Sequence, residues 1–280
     1  MRLSRSLLFV PATATAMVAK AHERGADALI VDLEDSIPMD HKVRARPLAA
    51  AAVLSLAKHG SMVLLRVNAD PAQWQADLNS LPGGVLAALS AVMLPKVETR
   101  AQIDTLASVL VASDANAPRI AALIESPRGV LAAPDIASHP ALCALGFGAE
   151  DYAAAIGVPP EPAALQWPAQ QVLTCAHAYG LQCWGMAGSI ADVGNLERFS
   201  GFAREARAMG FSGSVCIHPR QVAIVNQAFS PSEAELQWAA RVVEADAAAQ
   251  SAGTGVVLLD GRMIDRPIVL RARTWLGQQR

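Results

Sequence analysis

Ala28-Leu29-Ile30-Val31-Asp32-Leu33-Glu34-Asp35-Ser36 decides how the chain is read. Four aliphatic residues in a row are followed at once by a loop rich in acids. An uninterrupted apolar run, as opposed to an alternating one, suits a strand covered on both faces, as in parallel sheets. Seven further runs have the same character: Leu7–Val10, Met62–Val67, Ala91–Leu94, Ile120–Ile124, Ala144–Phe147, Leu181–Trp184 and Ser214–Ile217. They recur every 20 to 40 residues or so, roughly the length of a βαβ step.

Between most of these runs lie Ala-rich stretches with helical periodicity. Thr13–Arg24 stops at Gly25, and Ala45–Lys58 ends at His59-Gly60. Asn195–Met209 sets Leu196, Phe199, Phe202, Ala203 and Ala206 at spacings of three and four and stops at Gly210. Glycine is favoured just past helix C-termini. Eight strands alternating with helices predict an α/β fold of the (β/α)8 TIM-barrel kind. An open doubly wound sheet is the alternative. The barrel domain is expected over residues 1–229. Residues 230–280 are expected to form a C-terminal helical lid extension, with helix-like Pro231–Ala249, a break at Gly253-Thr254-Gly255, the short run Val256–Leu259, and a last helix from Pro267.

Composition removes several classes of function. The 280 residues are 52% hydrophobic and 17% charged, which excludes a disordered chain. No apolar stretch reaches the ~20 residues of a membrane span. The first one, Leu7–Val10, ends at Pro11, too short for a signal peptide. A net charge of −2 and a pI of about 6.3 leave no nucleic-acid footprint, for which a domain pI above ~9 is usual. Cys143, Cys175, Cys183 and Cys216 lack paired spacing and read as free thiols of a reducing cytosol. A cytoplasmic location is expected, with neither nucleic acid nor membrane as partner.

The residues just past the runs carry the chemistry. Arg66-Val67-Asn68, Pro95-Lys96-Val97-Glu98, Glu125-Ser126, Gly148-Ala149-Glu150-Asp151 and His218-Pro219 each come at the end of a run, as Asp32–Ser36 does. In a barrel these ends share one face, where active sites are built. Charged residues after five of the eight runs point to a site there. Several carboxylates without a His or Cys cluster point to a hard cation, Mg²⁺ or Mn²⁺. Glu125 and Asp151 are the natural ligands, unless each pairs with an arginine of the mouth. Arg66, at the end of a buried strand, either pairs with Glu34 or Asp35 or holds an anionic substrate. Gly146-Phe147-Gly148 is not a dinucleotide fingerprint, because Asp151 stands at its third glycine position. Cys216-Ile217-His218 reads as a buried thiol and a helix-capping histidine.

Taken in order, these strings resemble the citrate lyase β-subunit-like proteins of the HpcH/HpaI aldolase superfamily, which include malyl-CoA and citramalyl-CoA lyases. The resemblance runs from Arg5-Ser6-Leu7-Leu8-Phe9-Val10-Pro11 through Asp32–Ser36, Lys42, Arg46, Arg66–Asn68, Leu94–Glu98 and Ile124–Ser126. It continues through Phe147–Tyr152, Gly210–Gly213 and Ile217–Pro219 with Gln221, and ends at Gly261–Pro267. Ser214 stands where many relatives place Lys, a change expected to affect a surface contact.

The resemblance implies a Mg²⁺-dependent enzyme that cleaves or forms a carbon–carbon bond in a 3-hydroxyacyl-CoA thioester, giving a keto acid and acetyl-CoA. Glu125 and Asp151 would bind the metal and Arg66 would face the reacting oxygens. Glu34 and Asp35 would hold metal-bound waters or orient Arg66. Backbone N–H groups of Gly148 and Ala149 would meet the substrate carboxylate. Asp265 would exchange a proton with the acetyl carbon, reaching the site of a neighbouring subunit in a homo-oligomer, a trimer or hexamer. A helix cap is the other reading of Asp265. Arg2, Arg5, Lys42, Arg44 and Arg46 are candidates to meet the CoA phosphates. The alternatives are a class II aldolase releasing pyruvate from a free 4-hydroxy-2-keto acid, and a non-catalytic assembly subunit.

Overall fold

The eight apolar runs are strands: β1 Ser6–Pro11, β2 Ala28–Asp32, β3 Met62–Arg66, β4 Ala91–Leu94, β5 Arg119–Ile124, β6 Leu142–Phe147, β7 Gln182–Trp184 and β8 Ser214–Cys216. The computed structural model describes residues 3–113, 117–251, 253 and 257–277. The strands pair in parallel in the order β7-β6-β5-β4-β3-β2-β1-β8. That order brings the two ends together. Trp184 bridges Gly213, Gly185 N–H donates to Gly213 O at 3.0 Å, and Ser212 N–H donates to Cys183 O at 2.8 Å. The result is a nearly closed (β/α)8 barrel, with β7–β8 as its thinnest seam, and not an open sheet.

Helices alternate with the strands: α1 Thr15–Ala21, α2 Lys42–Lys58, α3 Pro71–Asn79 with the short α4 Val85–Ala88, α5 Arg100–Ser113, α6 Pro127–Ala137, α7 Ala149–Ile156 and α8 Pro162–Ala178, α9 Leu196–Met209, and α10 Pro219–Ala228. α2 begins one turn before its Ala-rich part. Gly210 closes α9 at φ 111°, a conformation costly for any residue with a Cβ. His218 caps α10, its Nδ1 accepting from Arg220 N–H at 3.1 Å, and Cys216 is fully buried.

Alternation along the strands builds two buried layers. Leu7, Ile30, Leu64, Met93, Leu123 and Trp184 pack inside the barrel. Val31, Val63, Leu65, Val92 and Ile124 pack outward against the helices. Each such side chain, fully buried, contributes about 1.5–3 kcal/mol. With both faces covered, the strands show no alternation in sequence, although the geometry alternates strictly. The same period, carried past the strand ends, sends Asp32 and Glu34 inward after Ala28 and Ile30. It sends Arg66 inward after Met62 and Leu64, and Glu125 after Ala121 and Leu123. Ser214 is fully buried in β8, so this position belongs to the barrel wall and not, as expected, to a surface contact.

Residues Ser230–Arg280 form a second compact unit. In it α11 Glu233–Ser251 and α12 Arg266–Gly277 pack with the hairpin of β9 Val257–Leu259 and β10 Arg262–Ile264. Ala239, Val242, Ile264, Val269 and Ala272 are its core. The hairpin turns at Asp260 and Gly261, φ 53° and 73°, the paired positive φ of a tight two-residue turn. Val256 and Thr254-Gly255 lie outside the described residues. Among the described residues no helix is long and apolar enough to cross a membrane, and the four cysteines are free thiols.

Candidate active site

Arg66 is the hub of the barrel mouth. It ends β3 directly opposite Asp32 at the end of β2. Its Nε donates to Asp32 Oδ1 at 2.6 Å and its Nη2 to Asp32 Oδ2 at 2.8 Å. Nη1 lies 2.7 Å from Glu34 Oε2 and 3.2 Å from Asp35 Oδ2. The guanidinium also sits over the Phe9 ring, 4.5 Å from its centre. Burial opposes charge on both partners. Even so, the hydrogen bonds and charge of Arg66 hold Asp32 below the ordinary carboxylate range, and the surrounding acids push Arg66 above its own. Asp32 is 1% exposed and also accepts from Glu34 N–H at 2.9 Å and Ser36 N–H at 3.2 Å. Sequence reasoning assigns Asp32 no role. Inward alternation from Ala28 and Ile30 is the signal that could have found it.

Lys96 extends this network. At φ 53° it aims Nζ at Glu34 Oε1, 2.7 Å away, with Asp35 Oδ1 at 3.5 Å. Burial would lower its pKa, but these carboxylates raise it, the opposite of what a nucleophilic amine needs. Glu34 is buried; desolvation raises its pKa and outweighs the opposing effect of Arg66 and Lys96.

Glu125 and Asp151 meet on the next side of the mouth. Glu125 is 4% exposed, and its Oε1 accepts from Lys96 N–H at 3.2 Å. Desolvation, then a shared hydrogen bond with Asp151 and its charge, pushes Glu125 up to about 8. Gly148 makes room for this carboxyl, since a Cβ there would lie 2.8 Å from Glu125 Cγ and 3.0 Å from Cδ. No group of three or more His, Cys, Asp or Glu side chains clusters as a metal cage among the described residues. Mg²⁺ does not require one, because it usually takes one or two carboxylates and completes its shell with water and substrate. Two carboxylates lining the edge of one cavity, with no basic side chain paired to either among the described residues, fit such a cation.

Arg66, Asp35, Glu125, Gly148, Ala149 and Asp151 line one cavity of about 430 Å³, and Glu34 stands behind it on Arg66. Two expectations change. Gly148 N–H donates to Ile124 O at 3.1 Å, so it is spent on the strand ladder. Ala149, opening α7, remains as donor, because first-turn N–H groups have no intrahelical acceptor. Most of the candidate phosphate cations are engaged elsewhere. Lys42 is buried, with Nζ donating to the carbonyls of Leu33 and Glu34 at 2.7 and 2.5 Å. Arg46 pairs with buried Asp77 at 2.9 Å. Arg5 pairs with Asp27 at 2.9 Å, at the strand starts and so at the opposite end of the barrel. Arg2 lies outside the described residues, and Arg44 Nη2 is 3.3 Å from His41 Nδ1. Finally, Asp265 lies in the second unit, where its Oδ1 accepts from Ile268 N–H at 3.3 Å and caps α12.

The sequence profile of the HpcH/HpaI aldolase/citrate lyase family matches residues 5–219. A citrate lyase subunit beta-like protein of Deinococcus radiodurans is 34% identical over 99% of this chain and 98% of its own. A (3S)-malyl-CoA thioesterase of Cereibacter sphaeroides is 32% identical over 98% and 94%. Protein CitE of Mycobacterium tuberculosis, solved in complex with magnesium, acetoacetate and coenzyme A, matches with a TM-score of 0.79 and 30% identity, over 99% of this chain and 98% of that one. Matched across its barrel and nearly end to end with these relatives, the chain is a lyase and belongs to the HpcH/HpaI aldolase/citrate lyase family.

Proposed function

We propose that this chain is a Mg²⁺-dependent carbon–carbon lyase, with Mn²⁺ able to replace Mg²⁺. It cleaves, or in reverse forms, a 3-hydroxyacyl-CoA thioester of the malyl-, citramalyl- or citryl-CoA kind, giving a keto acid and acetyl-CoA. One observation carries the reading. A buried arginine pinned by carboxylates opens onto the same cavity as the carboxylates of Glu125 and Asp151. The magnesium, acetoacetate and coenzyme A bound to the tuberculosis CitE protein support it.

Glu125 and Asp151 would hold the cation, which supplies Lewis acidity toward the carboxylate and carbonyl oxygens of the keto acid. Arg66 has five N–H donors. Asp32 and Asp35 engage three of them, with Glu34 Oε2 held in charge contact with Nη1, leaving N–H groups of Nη1 and Nη2 for the enolate oxygen formed as the bond breaks. A donor already fixed in place costs no reorganisation in the transition state. The short contacts to Glu34 and Asp35 favour an orienting role for them over a water-holding one. Ala149 N–H, at the positive end of α7, would meet the keto-acid carboxylate. Asp265 of a neighbouring subunit would deliver the proton to the enolate carbon, which makes the working form a homo-oligomer, a trimer or hexamer.

With Lys42, Arg46 and Arg5 committed elsewhere, local charge for CoA phosphates is sparser than the sequence implied. That observation favours keeping the class II aldolase reading as the alternative. The deciding experiment is an assay of the purified chain against malyl-, citramalyl- and citryl-CoA and a free 4-hydroxy-2-keto acid, with Mg²⁺ and with a chelator. Thioester cleavage that needs Mg²⁺ supports the lyase. Turnover of the free keto acid alone supports the aldolase, and no turnover of any substrate leaves the assembly subunit.

A further inference from the structure

The cavity is divided along the barrel. Its polar residues come from the ends of β2, β3, β5 and β6: Asp32, Asp35, Ser36, Arg66, Glu125, Glu150 and Asp151. The remaining arc, β7–β8–β1, contributes Ile190, Ala191, Val215, Ile217, Phe9 and Pro11, with no charged side chain among them. Leu123 adds an apolar floor. The apolar arc is tied together across the thin seam. Gln221, fully buried, donates from Nε2 to Ile190 O at 2.8 Å, and its Oε1 accepts from Ile217 N–H at 2.9 Å and His218 N–H at 3.0 Å.

Arg66 is the one basic residue lining the cavity among the described residues, and three carboxylates already surround it. Acids outnumber it so far that even a bound divalent cation leaves the lining negative. A substrate whose reacting keto acid bears a second carboxylate would bring that charge to a wall with no cation to receive it. An unpaired charge moved out of water is penalised far more than an alkyl group of the same size is rewarded. Resting on the lyase reading above, we infer that the keto acid handled here is a monocarboxylate with a small alkyl substituent, held against the β7–β8–β1 arc, and not a dicarboxylate.

The test is titration calorimetry of the Mg²⁺-loaded protein with pyruvate, 2-oxobutanoate and freshly dissolved oxaloacetate. Ethyl and carboxymethyl substituents are similar in size, so the last two isolate the charge. 2-Oxobutanoate is expected to bind at least ~10-fold more tightly than oxaloacetate, the scale of one unpaired charged group. Ile217→Arg, at a rim position 44% exposed, should narrow that ratio. Oxaloacetate binding as tightly as 2-oxobutanoate to the wild type overturns this inference and leaves the lyase reading intact. An unchanged ratio in a folded Ile217→Arg protein also overturns it. Binding of no keto acid in the presence of Mg²⁺ overturns the lyase reading together with it.

Discussion

Asp32 and Arg66, both buried, lie opposite each other on neighbouring strands, joined by two hydrogen bonds of 2.6 and 2.8 Å. The pair makes the guanidinium a fixed feature of the fold and not a mobile side chain. Removing one member of a buried pair leaves the other uncompensated, at about 3–5 kcal/mol. Asp32→Asn is expected near the lower end, because Glu34 and Asp35 still face the guanidinium. Urea unfolding measures this, and an unchanged midpoint would show that the pair contributes nothing to stability.

Arg66→Lys keeps the charge but loses the planar fork. Lysine cannot bridge Asp32 while also reaching Glu34 and Asp35, so both stability and turnover should fall. The expected drop in kcat is ~10²-fold or more, the scale of losing one transition-state donor. It should be measured well below the variant's own melting temperature, where the folded fraction is complete. Wild-type kcat there would make Arg66 structural only.

Metal binding should depend on pH in a definite direction. Without the cation, Glu125 is raised to about 8 by burial and by Asp151. Below that value Glu125 holds a proton which a cation must displace, so Mg²⁺ affinity should rise with pH and level off above about 8. At neutral pH close to one proton should be released per Mg²⁺, read by calorimetry in buffers of different ionisation enthalpy. For the metal-free protein the sign is opposite. A carboxyl whose folded pKa lies above its unfolded value binds more protons folded than unfolded, so its contribution to stability falls as pH rises from the unfolded value toward about 8. Mg²⁺ affinity that is flat between pH 6 and 9 would remove Glu125 from the metal site.

Gly148→Ala separates space from backbone conformation. Gly148 has φ −90°, which alanine adopts freely, so any effect comes from the added Cβ, 2.8 Å from Glu125 Cγ. Glu125 is buried and cannot swing aside without leaving Asp151. The expectation is a folded protein with Mg²⁺ affinity at least ~10-fold weaker, of the order seen when groups supporting a metal ligand are changed. Normal Mg²⁺ affinity would show that Glu125 does not need its present position.

Asp265→Asn discriminates between a cap and a proton donor. Asn caps a helix about as well as Asp, so the contact to Ile268 predicts little change in melting temperature. A proton-transfer residue should lose ~10²–10⁴-fold in turnover with metal binding intact. If the group acts on a neighbouring subunit, mixing Asp265→Asn with Arg66→Lys protein should restore activity through hybrid oligomers. Absence of rescue between subunits shown to exchange would exclude action in trans.

The barrel was legible because its strands are buried on both faces and announce themselves as apolar runs. Leu7–Val10, Ala28–Val31 and Ala91–Leu94 need no knowledge of their neighbours to be read as strands. Glycine stops and capping residues such as Gly210 and His218 are equally local, because a helix end must satisfy its own backbone. The charged strand ends located the mouth for the same reason, since they come directly after each run. The roles of Asp32, Lys96, Lys42 and Arg46 were not legible. Each is one more charge in a polar loop until the strand register and the helix packing choose its partner. Register sets Asp32 against Arg66, the positive φ of Lys96 turns its ammonium onto Glu34, and Lys42 is consumed by two loop carbonyls instead of facing solvent. Electrostatic partners are set by distances of a few ångströms between residues tens of positions apart, and only the closed barrel fixes those distances.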